Sequence, residues 1–264
     1  MELGLRDRAA IITGGSRGIG LEVARQLSAE VTSVLLLGRS EQTLQAAASQ
    51  CQTRGRVRWL AVDVTDPDAG GRAVEACQEH FGRVDVLVNG AGSTTVRSLP
   101  ELTDAEWQAQ WELNVMASMR MMRAAVPVMA DRGWGRVVNV SSSSGKRPGQ
   151  RNVAYSVAKA AQLSLSRAYA DYYAPHGVLI NAVTPGPVAS ELWLAEGGLA
   201  DQSAQARGIS RAQVLEAAAA GLPRGQLGSV AEVAAVIVFL CSVPAANVAG
   251  VAWSVDGGAV PVIL

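Results

Sequence analysis

The sequence predicts one α/β domain over residues 1–264, built on a doubly wound, seven-stranded parallel sheet with helices on both faces. Three observations carry this. Short β-branched or Leu-rich runs alternate with helix-length segments along the chain. The runs are continuously apolar, as parallel strands buried on both faces require. No Pro/Gly/Ser linker and no repeat divides the chain.

The strands are expected at Ala9–Thr13, Ser33–Leu37, Val57–Val62, Val84–Val88, Arg136–Val140, Val178–Val183 and Val251–Val255. Joining parallel neighbours needs right-handed helical crossovers, and the intervening segments have the length and start signals for them. Thr103-x-x-Glu106, Ser210-x-x-Gln213 and Ser229-x-x-Glu232 fit the capping box, in which two orphan backbone donors are satisfied reciprocally. Helices are expected over about Thr103–Asp131 and Val153–Ala174. The irregular stretch is Pro185–Gly228, a long helical insertion between the last two strands and a candidate lid over a site.

Composition narrows the function. The chain has 264 residues, 49% of them hydrophobic, and a formal net charge of zero with no basic block. That argues against a nucleic-acid surface, which needs clustered positive charge. Cys51, Cys77 and Cys241 form no ligand-spaced pair, so no metal is expected and free thiols in a reducing compartment are. The N-terminus shows no signal-peptide architecture, and the longest apolar run, Val233–Cys241, is far short of the ~20 residues that span a bilayer. A cytoplasmic protein is the expectation, with no membrane partner.

After the first strand comes T-G-G-S-R-G-I-G, Thr13–Gly20, opening the first helix. Gly14, Gly18 and Gly20 let the backbone turn and approach a pyrophosphate, while the helix N-terminus offers free N–H groups and a positive dipole end. Ser16, Arg17 and Ile19 complete that loop. The pattern predicts a dinucleotide site of Rossmann type, with a glycine spacing that differs from the commoner G-x-G-x-x-G. The second strand ends L-L-L-G-R-S, where an acidic residue would hold ribose hydroxyls. Gly38 stands there instead, followed by Arg39 and Ser40. A guanidinium pairs with a 2′-phosphate that a carboxylate would repel, so Arg39, with Arg17, favours NADP(H) over NAD(H).

Arginine is used almost everywhere in this chain, yet Lys159 is one of only two lysines, the other being Lys146. On a helix, Tyr155 and Lys159 project from one face, a turn apart. A phenol titrates near 10, and a neighbouring ammonium lowers that value toward useful acid–base chemistry. The strand R-V-V-N-V delivers Ser141–Ser144 at its C-terminal end, where open α/β sheets place ligands. Ser142 could there hold a carbonyl that Tyr155 protonates.

These motifs, in this order, resemble the short-chain dehydrogenase/reductase family, of the 3-oxoacyl-acyl-carrier-protein reductase type, from the first strand to the C-terminus. The residues that carry the resemblance are T-G-G-S-R-G-I-G, D-V-T-D at Asp63–Asp66, N-G-A-G at Asn89–Gly92 and N-V at Asn114–Val115. They continue with S-S-S-S-G, Y-S-V-A-K, T-P-G-P-V at Thr184–Val188 and V-D-G-G at Val255–Gly258.

The resemblance implies a catalytic tetrad of Asn114, Ser142, Tyr155 and Lys159. Tyr155 is then the general acid of carbonyl reduction or the base of alcohol oxidation. Lys159 lowers its pKa and holds the nicotinamide ribose, Ser142 positions the carbonyl, and Asn114 anchors a water. It also implies that Asp63 and Val64 frame the adenine, that Asn89, Gly90, Ala91 and Gly92 run beside the cofactor, and that Pro185, Gly186, Val188 and Ser190 line the nicotinamide. Gly90 departs from the family's N-N-A-G, and an asparagine bracing neighbouring strands is expected to be missing.

For the substrate, Thr94, Ser144, Gly145 and Gln150 are expected to border the carbonyl site, with Trp193 and Leu194 closing over it. Carrier-protein reductases show basic residues before two of the strands. Gly133 and His176 stand at those places here, with Arg132 adjacent. A 3-oxoacyl thioester and a small free ketone both remain in view. The alternative class is an NADP-binding sensor of the same fold without turnover. A sugar-nucleotide epimerase is disfavoured because the larger C-terminal substrate domain is missing. In relatives, the two long helices pair across a two-fold, so a homotetramer, or a dimer, is expected.

Overall fold

The structure is a computed structural model and describes residues 1–51 and 56–261. In chain order it forms β1 (Ala9–Thr13), α1 (Gly18–Ala29), β2 (Ser33–Gly38), α2 (Glu41–Gln50), β3 (Val57–Ala61), α3 (Ala69–Phe81) and β4 (Val86–Asn89). There follow α4 (Asp104–Trp111), α5 (Ala117–Ala130), β5 (Gly135–Val140), α6 (Val153–Tyr173) and β6 (Val178–Pro185). The chain closes with α7 (Glu191–Leu194), α8 (Leu199–Arg207), α9 (Arg211–Ala220), α10 (Val230–Cys241) and β7 (Ala252–Val255).

The seven strands lie in the order β3-β2-β1-β4-β5-β6-β7, all parallel, which is the fold class read from the sequence. Alternate strand residues feed two cores. Ile12, Leu36, Val88 and Val138 meet Val23 and Leu27 of α1 and Ile237 of α10. Ile11, Leu35, Leu87 and Val137 meet Cys77 of α3 and Met121 and Met122 of α5. A strand sandwiched in this way has no polar face, which accounts for the continuous apolar runs.

The edge strands β3 and β7 depart from that expectation. Each is covered on one side only, and their residues are half-buried or exposed, with Trp253 at 40% exposure. The predicted continuous helix over Thr103–Asp131 is also interrupted. A π-helical segment, Glu112–Met116, joins α4 to α5. The three predicted capping boxes form at Thr103, Ser210 and Ser229, and Ser98 with Glu101 makes another that the sequence reading passed over.

The insertion carries α7, α8 and α9. Its neck is pinned, since Ala189 N–H donates to the Gly228 carbonyl at 2.8 Å and Gly228 N–H to the Pro187 carbonyl at 3.0 Å. Successive strands run outward from β1 to β3 and then restart at β4 on the other side of β1. That reversal opens a crevice at the C-terminal ends of β1 and β4, where such sheets bind ligands.

Candidate active site

The glycine loop closes tightly under this crevice. Gly14 has φ +68°, and a Cβ there would come within 2.9 Å of the Ala91 backbone. A Cβ on Gly20 would lie 2.3 Å from the Gly14 carbonyl oxygen. The Thr13 hydroxyl accepts from the N–H groups of Gly90 (3.0 Å) and Ala91 (3.1 Å), tying β1 to the loop after β4. A Cβ on Gly186 would meet Asp256 backbone at 2.9 Å, so the loop after β6 is equally close-packed. Backbone bared in this way at a helix N-terminus fits a dinucleotide.

The expected loss of a strand brace at Gly90 is corrected. Asn89 Nδ2 donates to Asn139 Oδ1 at 2.7 Å, and Asn139 Nδ2 donates to Ser166 Oγ at 2.8 Å. The brace therefore joins β4, β5 and α6 through Asn89 rather than through position 90. Arg39, just beyond β2, and Arg17, in the glycine loop, are both exposed. Ser40 caps α2, its hydroxyl accepting from Thr43 N–H. Asp63 Oδ1 accepts from the N–H (2.9 Å) and hydroxyl (2.7 Å) of Thr65. Those bonds, with Arg39 adding a smaller Coulombic pull, hold its carboxyl below the usual range. Val64 is buried beside it.

A cleft of about 200 Å³ lies over the strand ends. Ser142, Tyr155 and Lys159 line it together with Ile19, Gly90, Gly92, Pro185, Gly186, Val188 and Ser190. Thr94, Ser144 and Trp193 reach it as well. Gly145, Gln150 and Leu194 are not among its lining. A Cβ on Gly145 would press on the Lys159 backbone at 2.9 Å, Gln150 sits on an exposed turn, and Leu194 closes α7 outside the lining although it is no more exposed than Leu192, which does line the cleft. Leu192, Leu199 and Asn152 take places that the sequence reading missed. Which residues of a four-residue helix face inward depends on its docking, and no sequence pattern supplies that.

Within the cleft, burial acts on the two titratable groups in opposite directions. It pushes the Tyr155 phenol up, with hydrogen bonding from Ser142 working against it, and it lowers Lys159 to about 7. Helix spacing alone leads one to expect the ammonium to lower the phenol. In the folded chain burial is the larger influence on the phenol, and the Ser142 hydrogen bond is the one that opposes it. Ser142 Oγ accepts from Ser144 N–H at 3.1 Å, which orients the serine turn.

Asn114 lies in the π segment and is fully buried. Its Nδ2 donates to the Gln110 carbonyl (3.0 Å) and to Gln110 Oε1 (2.9 Å), occupying an acceptor on the turn that the altered helix disturbs. Its Oδ1 has no hydrogen-bond partner among the described residues and points toward Gly92, where a Cβ would lie 3.2 Å from it and 3.5 Å from Lys159 Nζ. A buried amide oxygen left open beside a cation suits a water or ligand hydroxyl.

The profile of the short chain dehydrogenase family matches residues 8–197, most of the chain. The chain belongs to the short-chain dehydrogenase family. It is 35% identical to the short-chain reductase protein NovJ of Streptomyces niveus over 96% of this chain and 94% of that one. It is 31% identical to the 3-oxoacyl-acyl-carrier-protein reductase FabG of Escherichia coli over 97% and 98%. Among solved structures, L-sorbose reductase from Gluconobacter frateurii, complexed with NADPH and L-sorbose, superposes with a TM-score of 0.93 at 32% identity over the whole of both chains. The family and these reductase relatives make this chain an oxidoreductase of alcohol and ketone groups. Among the described residues no helix is long and apolar enough to cross a membrane.

Proposed function

We propose that the protein is an NADPH-dependent reductase of a small neutral ketone. The observation that carries this reading is the convergence of Ser142, Tyr155 and Lys159 on one cleft above the β1–β4 crevice. A nicotinamide, when bound there, would supply the hydride. Tyr155, whose phenol burial keeps protonated, gives its proton to the carbonyl oxygen that Ser142 holds. Lys159 and Tyr155 would hold the nicotinamide ribose, and Asn114 a water at its open Oδ1. The glycine loop would take the pyrophosphate, Asp63 and Val64 the adenine, and Arg39 with Arg17 the 2′-phosphate.

Among the described residues that line the cleft, Lys159 is the one Lys, Arg, Asp or Glu, which favours an uncharged substrate. Thr94, Ser144 and Asn152 offer hydrogen bonds, while Leu192, Trp193 and Leu199 offer an apolar cover. Residues 185–228 act as the lid of one domain spanning 1–264. The carrier-protein reading draws less support, since Arg132 is turned to the Gly82 carbonyl. Buried free thiols at Cys51, Cys77 and Cys241 suit the cytoplasm.

The test is a panel of ketones and alcohols with NADPH and NADH, followed at the nicotinamide absorbance. Turnover of neutral ketones with NADPH supports the reading, and a clear preference for NADH overturns the role of Arg39. Association as a homotetramer is part of the same proposal, and a monomeric mass by light scattering at micromolar concentration rejects it.

A further inference from the structure

The ammonium of Lys159, 2% exposed, donates to two neutral oxygens: the Val140 carbonyl at 2.8 Å and Gln162 Oε1 at 3.1 Å. Gln162 is fully buried three residues further along α6. Its amide is oriented from the other end, where Nε2 donates to Ser118 Oγ at 2.7 Å. Ser118 Oγ in turn donates to the Asn114 carbonyl at 3.4 Å. Rotating the amide by half a turn would set its N–H₂ against the ammonium, donor to donor, and would strip Ser118 of its donor.

The groups facing Lys159 are few. On α6 the titratable neighbour is Tyr155. β5 and the turn after it present the Val140 carbonyl and Ser142, the π segment presents Asn114, and the loop after β4 presents Gly92. None of these carries a carboxylate or a second cation. Burial alone accounts for the lowered pKa of the lysine. The neutral oxygens bonded to it are then what favours its charged form, and of these only Gln162 is a replaceable side chain.

We propose that Gln162 is a positioning residue for Lys159: its carbonyl oxygen, aimed by Ser118, fixes the ammonium and sets the pH range over which the lysine keeps its proton. A buried glutamine that only fills space on α6 would hold the fold without touching that titration. The role of Lys159 in turnover rests on the function proposed above, but its protonation does not.

The chain holds only two lysines, Lys146 and Lys159, so protein grown on lysine carrying 13C at Cε gives two resonances to titrate. Lys146, bonded to the Ala252 carbonyl and Ser254 Oγ, serves as the internal reference. Removing the acceptor in Gln162→Leu should lower the Lys159 midpoint by about one pH unit, and a carboxylate in Gln162→Glu should raise it by at least about one. Ser118→Ala, which leaves every Lys159 contact in place, should shift it less, in the direction of Gln162→Leu. Lys146 should not move. The same order, Gln162→Glu above wild type above Gln162→Leu, is expected for the alkaline limb of ketone reduction.

Lys159 midpoints that agree within about 0.2 pH unit between wild type and whichever Gln162 variants fold would overturn the proposal. If both Gln162 variants fail to fold, an unmoved Lys159 in Ser118→Ala does the same. Absence of turnover in the wild type counts against the proposed function alone, because the titration needs no substrate.

Discussion

Lys159 Nζ lies 5.6 Å from the Tyr155 ring centroid, one turn along α6, and burial drives the pair toward its uncharged forms. In the unfolded chain the lysine keeps its proton up to about pH 10.4, whereas in the folded chain it titrates near 7. Between those values the unfolded state binds more protons, so stability rises with pH, by up to about 1.4 kcal/mol per pH unit. Cys77 and Cys241, raised to about 12 by burial, act the other way once free thiols begin to ionise near 9. The rise is therefore expected between about pH 7 and 8.5. Lys159→Met should abolish it, as read from urea unfolding at several pH values. Parallel stability curves for the two proteins would refute the assignment.

Tyr155→Phe keeps the ring and removes the proton. Ketone reduction should fall by about 10²–10⁴-fold, while NADPH affinity, measured by fluorescence titration, should change by no more than a few fold. A comparable loss in both would mean that the hydroxyl serves binding rather than proton transfer.

Arg39 is exposed beyond β2, with no carboxylate ending that strand. Arg39→Ala should reduce the preference for NADPH over NADH by about 10–100-fold, as expected for losing a hydrogen bond between charged groups. Equal affinities of wild type and variant for NADPH would remove Arg39 from the site.

Asn139 accepts from Asn89 and donates to Ser166, all three being fully or nearly fully buried. Asn139→Ala should cost about 1–3 kcal/mol for each polar group left unsatisfied, and each kcal/mol should lower Tm by about 2–4 °C in a chain of this size. A calorimetric Tm within a degree of wild type would show that the brace carries little energy.

Trp193 covers the cleft from α7. Trp193→Ala should raise KM for the preferred ketone by about tenfold through lost apolar contact, with NADPH affinity little changed. Unaltered KM would take the tryptophan out of the substrate site.

Much of this is legible in the sequence. A strand buried on both faces must be apolar throughout, so Ala9–Thr13 and Ser33–Leu37 announce themselves, and a parallel sheet follows from their spacing. Tyr155 and Lys159 fall on one helix face by periodicity, and the glycine loop is readable because its chemistry is backbone chemistry with a local sequence signature. The edge strands β3 and β7 were less legible, since their exposure depends on having no neighbour on one side.

The sequence by itself therefore determined the parallel doubly wound sheet, the phosphate loop and the helix that carries Tyr155 and Lys159. These features are set by contacts that repeat over a few residues. Tertiary structure alone decided the rest. It set the π segment that holds Asn114, the Asn89–Asn139 brace, the choice of Leu192 rather than Leu194 for the cleft, and the line from Ser118 through Gln162 to Lys159. Each of these joins residues far apart in the chain or depends on how one element docks on another, and desolvation, which moves both Tyr155 and Lys159, exists only once that docking is complete.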